Sequence, residues 1–387
     1  MRFIHTADWH LGRLFHSIHL TGDQRFTLEG LVRAAGDMNV DAVVVAGDVF
    51  DRAVPPTEAV DLLDEIVGTL ALDLRIPVVM IAGNHDSASR LEFFSGLARR
   101  AGVYVVGRVG ARPQPVEIPA ADGTSVRFWP LAYTDPETAR YELGRDDIHS
   151  HEDVLGAQLE VIGPALGGGA RDVLVAHAFV SGCRESESER PLTVGGAGAV
   201  NRSLFEQFDY VALGHLHEPQ VADAGRIRYA GSLLKYSFDE QAHEKSVSVV
   251  DLGPSGPAVV EEARLPIKRD VRRLRGGFDE ILSMEIDPAL AEAYVEVVLT
   301  DPDPVLSPLD RLRPLFPHIL SVRREAAEAG VFGPGPTSVG LKTRTVLDLF
   351  GEFFEDVKGA PLNDSQTAEL AAVIDRLERA GREAGPA

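Results

Sequence analysis

The first half of the chain alternates short apolar runs with segments in which apolar residues recur at helical spacing. The apolar runs predict buried strands at Phe3–Thr6, Ala42–Ala46, Val78–Ala82 and Tyr104–Val106. The segments between them predict amphipathic helices at Arg25–Met38, Thr57–Leu70 and Arg90–Ala101. Alternation of strands and helices is typical of a layered α/β domain.

Strand patterns dominate after about residue 115. They predict strands at Val126–Pro130, Val173–His177, Tyr210–Leu213, Arg228–Ala230 and Val247–Leu252. A run of charged residues at 185–190 predicts a solvated loop between them. We therefore expect an α/β fold in which two sheets form a β-sandwich flanked by helices. In such a fold the active residues lie at strand ends.

The composition changes near Arg264. Between 264 and 275 a single acid, Asp270, stands among six basic residues, which are Arg264, Lys268, Arg269, Arg272, Arg273 and Arg275. A run of this kind is either a solvated strand edge or a DNA contact. After it, the pattern predicts helices near Phe278–Met284 and Leu309–Leu315 and strands at Tyr294–Leu299 and Ile319–Arg323. We expect a small α/β capping domain here.

A segment rich in glycine and proline follows, from Gly330 to Gly340, and predicts a linker. Beyond it, two apolar stripes predict a C-terminal helical hairpin. Asn363 is the expected cap of its second helix, because Gln366 follows three residues later. The predicted domains are therefore 1–265 for the sandwich, 266–332 for the cap and 341–383 for helices that bind a partner.

Length and composition suit a globular protein of two or three domains, with 387 residues of which 44% are hydrophobic. No apolar run approaches the roughly 20 residues that span a bilayer, so we expect no membrane association. The N-terminus shows no signal-peptide pattern, and Cys183 is the only cysteine. These features predict a cytoplasmic protein without internal disulfides.

The net charge of −21 argues against simple nucleic-acid binding, because surfaces that bind phosphate are usually basic. An acidic chain can still act on a polyanion in two ways. Bound divalent metals reverse the local field, and a partner protein can supply much of the grip.

Polar segments follow directly after several predicted strands. They are Asp8-Trp9-His10, Gly47-Asp48, Gly83-Asn84-His85-Asp86 and Gly214-His215-Leu216-His217, and His177 closes a further strand. Any one of them could be an ordinary turn or strand end. Their joint occurrence, each behind an apolar strand, predicts a shared cleft.

The donor types in these segments suit transition metals, since a mixture of imidazole and carboxylate favours Mn, Fe or Zn. Asp8 and His10 are two residues apart and would share one face if the strand continued. Asp48 has two oxygens and can bridge two ions. Seven candidate ligands result: Asp8, His10, Asp48, Asn84, His177, His215 and His217. They suffice for two divalent ions that clamp a phosphoryl group during in-line displacement.

His85 and Asp86 have a different predicted role. An imidazole beside the metals that is not needed as a ligand can stabilise the transition state or protonate the leaving oxygen. We expect His85 to be this catalytic group, and Asp86 to orient its ring by a hydrogen bond.

Taken together, these segments resemble the calcineurin-like metallophosphoesterase superfamily. The longer strings His5-Thr-Ala-Asp-Trp-His-Leu-Gly, Gly47-Asp-Val-Phe-Asp-Arg and Gly83-Asn-His-Asp-Ser are similar to a narrower group, the SbcD-type nuclease subunits of bacterial SbcCD complexes. The resemblance implies two Mn²⁺ ions. One would be held by Asp8, His10, Asp48 and His217, and the other by Asp48, Asn84, His177 and His215. It also implies that His85 is catalytic.

The same resemblance implies a biological setting. It predicts ATP-dependent double-strand exonuclease activity and single-strand or hairpin endonuclease activity in DNA repair, recombination and replication. It also predicts an SbcC-like, SMC-type ATPase docked on the tail, and a homodimer within a heterotetramer. One position departs from archaeal and eukaryotic relatives, because Asp51 stands where they commonly have a histidine.

Two alternatives remain, the first another kind of enzyme and the second from another functional class. A stand-alone phosphoesterase for small molecules or phosphoproteins would have little need of a cap and a helical tail. Protein phosphatases of the superfamily also show Gly-Asn-His-Glu, where this chain has Asp86. A non-catalytic scaffold that recruits an ATPase to DNA ends would not need the complete ligand set.

Overall fold

The structure is a computed structural model, and it describes residues 1–120, 123, 125–189, 198–223 and 225–325 together with isolated positions between 350 and 373. Residues 1–325 form one structural unit and 326–387 a second. The predicted tail 341–383 lies mostly outside the described residues. Within the second unit, Asn363 and Gln366 form the predicted helix N-cap, since the backbone amide of each residue donates to the side chain of the other at 3.0 Å.

The first sheet has six strands. Their spatial order is Val259–Ala263, Val247–Asp251, Arg2–Thr6, Ala42–Val45, Val78–Ile81 and Val103–Val106. The last four run parallel, and the first two are antiparallel to their neighbours. Ala42–Val45 and Val78–Ile81 are buried at every position. Strands covered on both faces read as continuous apolar runs, and for this reason the sequence pattern located them.

The second sheet also has six strands. Their order is Gln220–Asp223, Ile227–Tyr229, Tyr210–Gly214, Arg171–His177, Ser125–Leu131 and Val116–Pro119. The four inner strands are parallel, and both outer strands are antiparallel. The two sheets pack face to face: the ring of Phe3 in the first sheet meets Phe128 and Tyr210 of the second at centroid distances of 5.3 and 5.7 Å. The predicted sandwich is confirmed.

Helices flank the two sheets. The α-helices before the cap are Thr21–Asp37, Thr57–Gly68, Ala88–Leu91, Ser95–Ala98, Pro136–Leu143 and His151–Ile162. A short π-helix, Thr69–Asp73, extends the second of them. Short 3-10 helices lie at Arg99–Ala101, Gly163–Ala165, Arg202–Phe205 and Phe238–Ala242. Two-stranded ribbons pair Leu14–Phe15 with Ile18–His19 and Phe179–Val180 with Ala199–Val200.

The predicted helix Arg90–Ala101 is wrong as a single element. It is broken into short turns at Phe94, whose φ of 58° lies in the left-handed region. The sequence also missed the helices Pro136–Leu143 and His151–Ile162. The second of these begins with a capping box between Ser150 and Asp153, in which each side chain accepts from the other residue's backbone amide.

The segment predicted to be the capping domain, called the cap below, contains a parallel sheet of three strands, Val271–Gly276, Tyr294–Leu299 and Ile319–Arg324, with helices Phe278–Ser283, Pro288–Glu292 and Pro308–Leu312. Strand Val271–Gly276 lies at its edge and carries part of the basic run. Arginines of that run form ion pairs within the chain: Arg264 with Glu244, Arg269 with Asp23, Arg272 with Asp270, Arg273 with Asp239 and Arg275 with Glu325. Of the two interpretations, the structure favours a strand edge.

In the described part of the chain, no helix combines the length and apolar character needed to cross a membrane.

Candidate metal centre

The predicted site residues come from neighbouring strand ends. Strands Arg2–Thr6, Ala42–Val45 and Val78–Ile81 are adjacent and parallel, so the loops that follow them meet at one edge of the first sheet. In the second sheet His177 pairs with Gly214 at the ends of parallel strands. Ligands in open α/β sheets bind outside the carboxyl ends of strands, and here the two edges contribute to one site.

Contact between the two sheets is close at this edge. A β-carbon at Gly214 would lie 2.0 Å from the carbonyl oxygen of Ala46 and 2.9 Å from Nδ1 of His177. No residue larger than glycine fits there unless the backbone moves. The glycine before His215 therefore allows the second sheet to place its histidines against the first.

Backbone geometry at the site differs from the prediction. Asp8, His10, Asp48 and His215 all have positive φ, at 52°, 45°, 49° and 107°. Asp8 and His10 therefore do not continue a strand, and that reason for placing them on one face was wrong. Left-handed conformations at non-glycine residues cost roughly 1–3 kcal/mol each and concentrate at functional sites.

Asp48 lies at the centre of the cluster. Its Oδ2 is 3.6 Å from Nε2 of His10 and 3.6 Å from Nε2 of His177. His177 Nε2 is in turn 2.9 Å from Oδ1 of Asn84. On the other side, Nε2 of His10 and Nε2 of His217 are 3.0 Å apart. These donor atoms surround a common space.

Asp8 and His215 complete the group. Both carboxylate oxygens of Asp8 accept from the backbone amide of His215, at 3.0 and 3.1 Å. Donor atoms of Asp8, His10 and His217 lie within 4.8 Å of one another, and so do those of Asp8, Asp48 and His177. The ring centroids of His177 and His215 are 5.4 Å apart. The structure thus brings all seven predicted ligands together.

The electrostatics of the cluster fit divalent cations. Burial and the neighbouring charge of Asp48 raise the pKa of Asp8 well above its usual value. Burial, followed by repulsion from neighbouring imidazoles, lowers the pKa of His10 and of His215. Nε2 of His215 is buried and has no hydrogen-bond partner. Buried carboxylates beside neutral imidazoles with free lone pairs are the donor set that a divalent transition metal binds.

His85 lies beside this cluster. Its backbone amide donates to Oδ1 of Asp48 at 2.9 Å, and its ring Nε2 is 4.0 Å from Oδ2 of the same residue. Nδ1 donates to the carbonyl oxygen of Asp51 at 2.8 Å. The ring is therefore oriented by a backbone carbonyl, and the predicted hydrogen bond from Asp86 is wrong.

Asp86 joins two loops instead. Its carboxylate accepts from the backbone amides of Val49, Phe50 and Gly83 at 2.9–3.0 Å. Burial and repulsion from Asp48 raise its pKa to about 7. We conclude that Asp86 shapes the site through the backbone.

Sequence reasoning assigned no site role to two residues beside the cluster, Asp51 and Glu189. The carboxylate of Asp51 pairs with Arg13 at 2.8 Å and lies 3.8 Å from Nδ1 of His10. The charged run 185–190 was expected to be a solvated loop, yet Glu189 is buried and accepts from the backbone amide of His217 at 2.6 Å. The sequence offered a signal for Asp51, because it stands where related chains commonly have a histidine. No pattern in the sequence distinguished Glu189 from the other charged residues of its run.

Comparison with known proteins gives two family models. The model described as calcineurin-like phosphoesterase matches residues 1–219. A second model, SbcD_C, described as type 5 capsule protein repressor C-terminal domain, matches residues 267–358. The first covers more than half of the chain.

Several solved structures are similar. Calcineurin-like phosphoesterase YfkN from Bacillus subtilis is 14% identical, with 69% of this chain and 90% of that chain covered and a TM-score of 0.37. The protein TT1561 of Thermus thermophilus is 12% identical, with 67% and 98% covered and a TM-score of 0.38. A dimetal phosphatase from Danio rerio is 13% identical, with 67% and 98% covered and a TM-score of 0.38.

The match to the calcineurin-like phosphoesterase family model, the two-sheet fold and the cluster of histidines and carboxylates all indicate the same kind of protein. The cluster is a candidate site for divalent metals, and the fold is that of a metal-dependent phosphoester hydrolase. The chain belongs to the calcineurin-like phosphoesterase family.

Proposed function

We propose that this chain is a two-metal DNA nuclease of the SbcD type, which cuts phosphodiester bonds in DNA break and hairpin processing. The observation that carries the proposal is the convergence of seven donor side chains, with Asp48 at their centre and the ring of His85 beside them. A site with this many donors can hold two ions and still leave positions for a substrate phosphate.

In the proposed arrangement Asp48 would contribute to holding both ions. Asp8, His10 and His217 would hold one, and Asn84, His177 and His215 the other, with Mn²⁺ as the expected metal. When bound, such ions supply Lewis acidity that polarises the phosphoryl oxygens and offsets their charge. The left-handed loops at Asp8 and Asp48 hold the carboxylates in position before substrate arrives.

His85 has the proposed catalytic role. Its Nδ1–H is engaged by the carbonyl of Asp51, so the ring presents Nε2 toward the cluster. Nε2 carries a proton only in the imidazolium form, and in that form it can donate to the departing sugar oxygen. Its side chain is 12% exposed, so it is not completely shielded from solvent.

One feature supports DNA as the substrate. The C-terminal match to the SbcD_C model adds a domain that the stand-alone phosphoesterase alternative does not need. The acidic net charge is compatible with this proposal, because metals and a partner would supply the grip on DNA. Among the described residues, most basic side chains of the run 264–275 form ion pairs within the chain, so the run would contribute little to DNA binding.

The proposed partners are an SbcC-like, SMC-type ATPase docked on residues 341–383 and a second copy of this chain, together a cytoplasmic heterotetramer. The side chains of Phe93, Phe94 and Leu97 support self-association, since they are 70%, 63% and 62% exposed and adjacent. Apolar patches of this kind mark protein interfaces.

The test is a nuclease assay with Mn²⁺ on hairpin and blunt duplex DNA, with and without the ATPase and ATP. Bis(p-nitrophenyl) phosphate and phosphomonoesters are run alongside. The wild-type chain should cut the hairpin and the diester, and it should degrade duplex DNA only with the ATPase. Asp48→Ala should lose both ions and all cleavage, while Asp61→Ala, an exposed carboxylate on helix Thr57–Gly68, should behave as wild type. Preference for phosphomonoesters without DNA cleavage would overturn the proposal.

A further inference from the structure

Side chains that the proposed reaction does not use surround the outer side of His217. Oγ of Ser188 lies 2.6 Å from Nδ1 of His217, and Oε1 of Glu240 lies 3.3 Å from the same nitrogen. Glu240 is completely buried. The backbone amide of His217 donates to Glu189, as described above. His217 is therefore held at its ring and at its backbone by residues far away in the sequence.

The direction of these hydrogen bonds decides which ring nitrogen carries the proton. Glu240 is paired with Lys245, and as a carboxylate it can only accept. The hydroxyl of Ser188 therefore donates to Oε1 of Glu240. Oγ of Ser188 then offers only lone pairs to His217, so Nδ1 is the protonated nitrogen. Nε2 keeps its lone pair and faces the metal cluster, 3.0 Å from Nε2 of His10.

Lys245 fixes the far side of the carboxylate. Its Nζ lies 2.5 Å from Oε2 of Glu240 and also donates to the carbonyl of His217 and the hydroxyl of Ser232, each at 2.8 Å. All three protons of the ammonium group are thus used. The buried ion pair therefore has no freedom to turn away from the ring.

The helix that carries Glu240 is also held in place. Arg273 of the cap pairs with Asp239 at 2.7 Å, and its backbone amide donates to Gln241 at 3.1 Å. These two residues flank Glu240 in the helix Phe238–Ala242. The carboxylate is consequently aimed at His217 before any ion binds.

We propose that Glu240, acting with Ser188 and Lys245, is a positioning residue that holds His217 in its Nδ1-protonated form with Nε2 turned toward the metal cluster. The inference rests on the proposed role of His217 as a metal ligand. Metal-binding histidines commonly donate their other ring N–H to a carboxylate or another acceptor, and removing such a partner typically lowers metal affinity by roughly 10–100-fold. Here Ser188 links the two groups, because its hydroxyl donates to Glu240 and its oxygen accepts from Nδ1 of His217.

The experiment compares Ser188→Ala and Glu240→Gln with wild type, and Glu244→Gln is the matched control. Glu244 is an exposed carboxylate four residues along that pairs with Arg264. Nitrogen NMR of ¹⁵N-histidine-labelled, metal-free protein reports the tautomer of His217, and titration calorimetry with Mn²⁺ reports both affinities. Thermal unfolding of the metal-free proteins reports folding. His217→Ala identifies the NMR signal and the metal that His217 binds.

Wild type and Glu244→Gln should show the Nδ1-protonated form and bind two ions. Ser188→Ala and Glu240→Gln should show a mixture of tautomers and bind one of the two ions roughly 10–100-fold more weakly. Unchanged tautomer and affinity in both variants would overturn the inference and leave the metal assignment intact. Two full-strength sites in His217→Ala would instead refute the proposed ligand role. If Glu240→Gln does not fold, Ser188→Ala decides, because it keeps the Lys245–Glu240 pair.

Discussion

A β-carbon at Gly83 would lie 2.2 Å from Oδ1 of Asp48 and 2.3 Å from its backbone nitrogen. The loop after one strand therefore packs directly on the loop after the neighbouring strand, with no space for a side chain between them. The same Oδ1 accepts from the amide of His85 at 2.9 Å. The central carboxylate is thus located by the backbone of the segment that also carries Asn84 and His85.

Gly83→Ala should displace Asp48 and release bound metal. Forcing an extra methyl group into a packed region costs roughly 1–3 kcal/mol, and the free energy of unfolding should fall by that amount. Elemental analysis and cleavage of bis(p-nitrophenyl) phosphate measure the effect at the site. Gly22→Ala is the control, because a β-carbon there meets nothing within 4 Å. Normal metal content in Gly83→Ala would show that the two loops can move apart without releasing metal.

His85→Ala should keep both metals, because His85 lies beside the cluster and is not one of the seven proposed ligands. Its Nδ1 already donates to the carbonyl of Asp51. The rate of phosphodiester cleavage should fall by roughly 10²–10⁴, the usual effect of losing a general acid. Single-turnover kinetics and elemental analysis on the same preparation separate chemistry from metal binding. His149→Ala, at an exposed position, should change neither. A collapse of metal content in His85→Ala would make His85 a ligand.

His5 should make the protein sensitive to acid. It is buried, with Nδ1 3.0 Å from the hydroxyl of Tyr210 and Nε2 3.1 Å from the carbonyl of Leu213. Burial lowers the pKa of His5 to about 3. In the unfolded chain His5 takes up a proton near pH 6.5, and in the folded chain it does not. The contribution of His5 to the free energy of unfolding is therefore complete above pH 6.5 and is lost as the pH falls toward 3.

His5→Gln removes that proton uptake and keeps a donor and an acceptor. Between about pH 6 and 4, the free energy of unfolding of metal-free wild type should fall more steeply than that of the variant, by about 1.4 kcal/mol per pH unit. Urea denaturation at several pH values measures both slopes. Equal slopes would mean that His5 is protonated in the folded protein.

The exposed patch Phe93, Phe94 and Leu97 should mediate self-association. Changing both Phe93 and Leu97 to Ser should convert a dimer to a monomer in sedimentation experiments. It should alter stability by less than about 0.5 kcal/mol, as surface substitutions usually do. Leu72→Ser removes a side chain that is 59% exposed elsewhere and should leave the dimer intact. A double variant that still sediments as a dimer would place the interface on another surface.

Deletion of the residues after Gly340 tests the predicted docking of the tail. Cleavage of small phosphodiesters should stay near wild type, because the metal cluster lies entirely within residues 1–325. Co-purification with the ATPase and ATP-dependent degradation of duplex DNA should be abolished. If the shortened chain unfolds, or if it still co-purifies with the ATPase, the tail is not the docking element.

Much of the fold was predictable because its central strands are buried on both faces. Ala42–Val45 and Val78–Ile81 read as unbroken apolar runs, and polar residues that follow such strands in parallel order must meet at one edge. The helix Arg90–Ala101 was not predictable as it stands. Its spacing is helical, yet Phe94 takes a left-handed conformation that no local pattern marks.

By itself, the sequence selected the seven candidate ligands and His85 as predictions, from residue type and position behind a strand. Only the tertiary structure decided how those side chains are held. Asp51, not Asp86, orients His85, and Ser188 and Glu240 meet His217 across long stretches of chain. Such partners have no fixed spacing from the residues they orient, because a hydrogen bond depends on where packing brings two groups and not on their separation in the sequence.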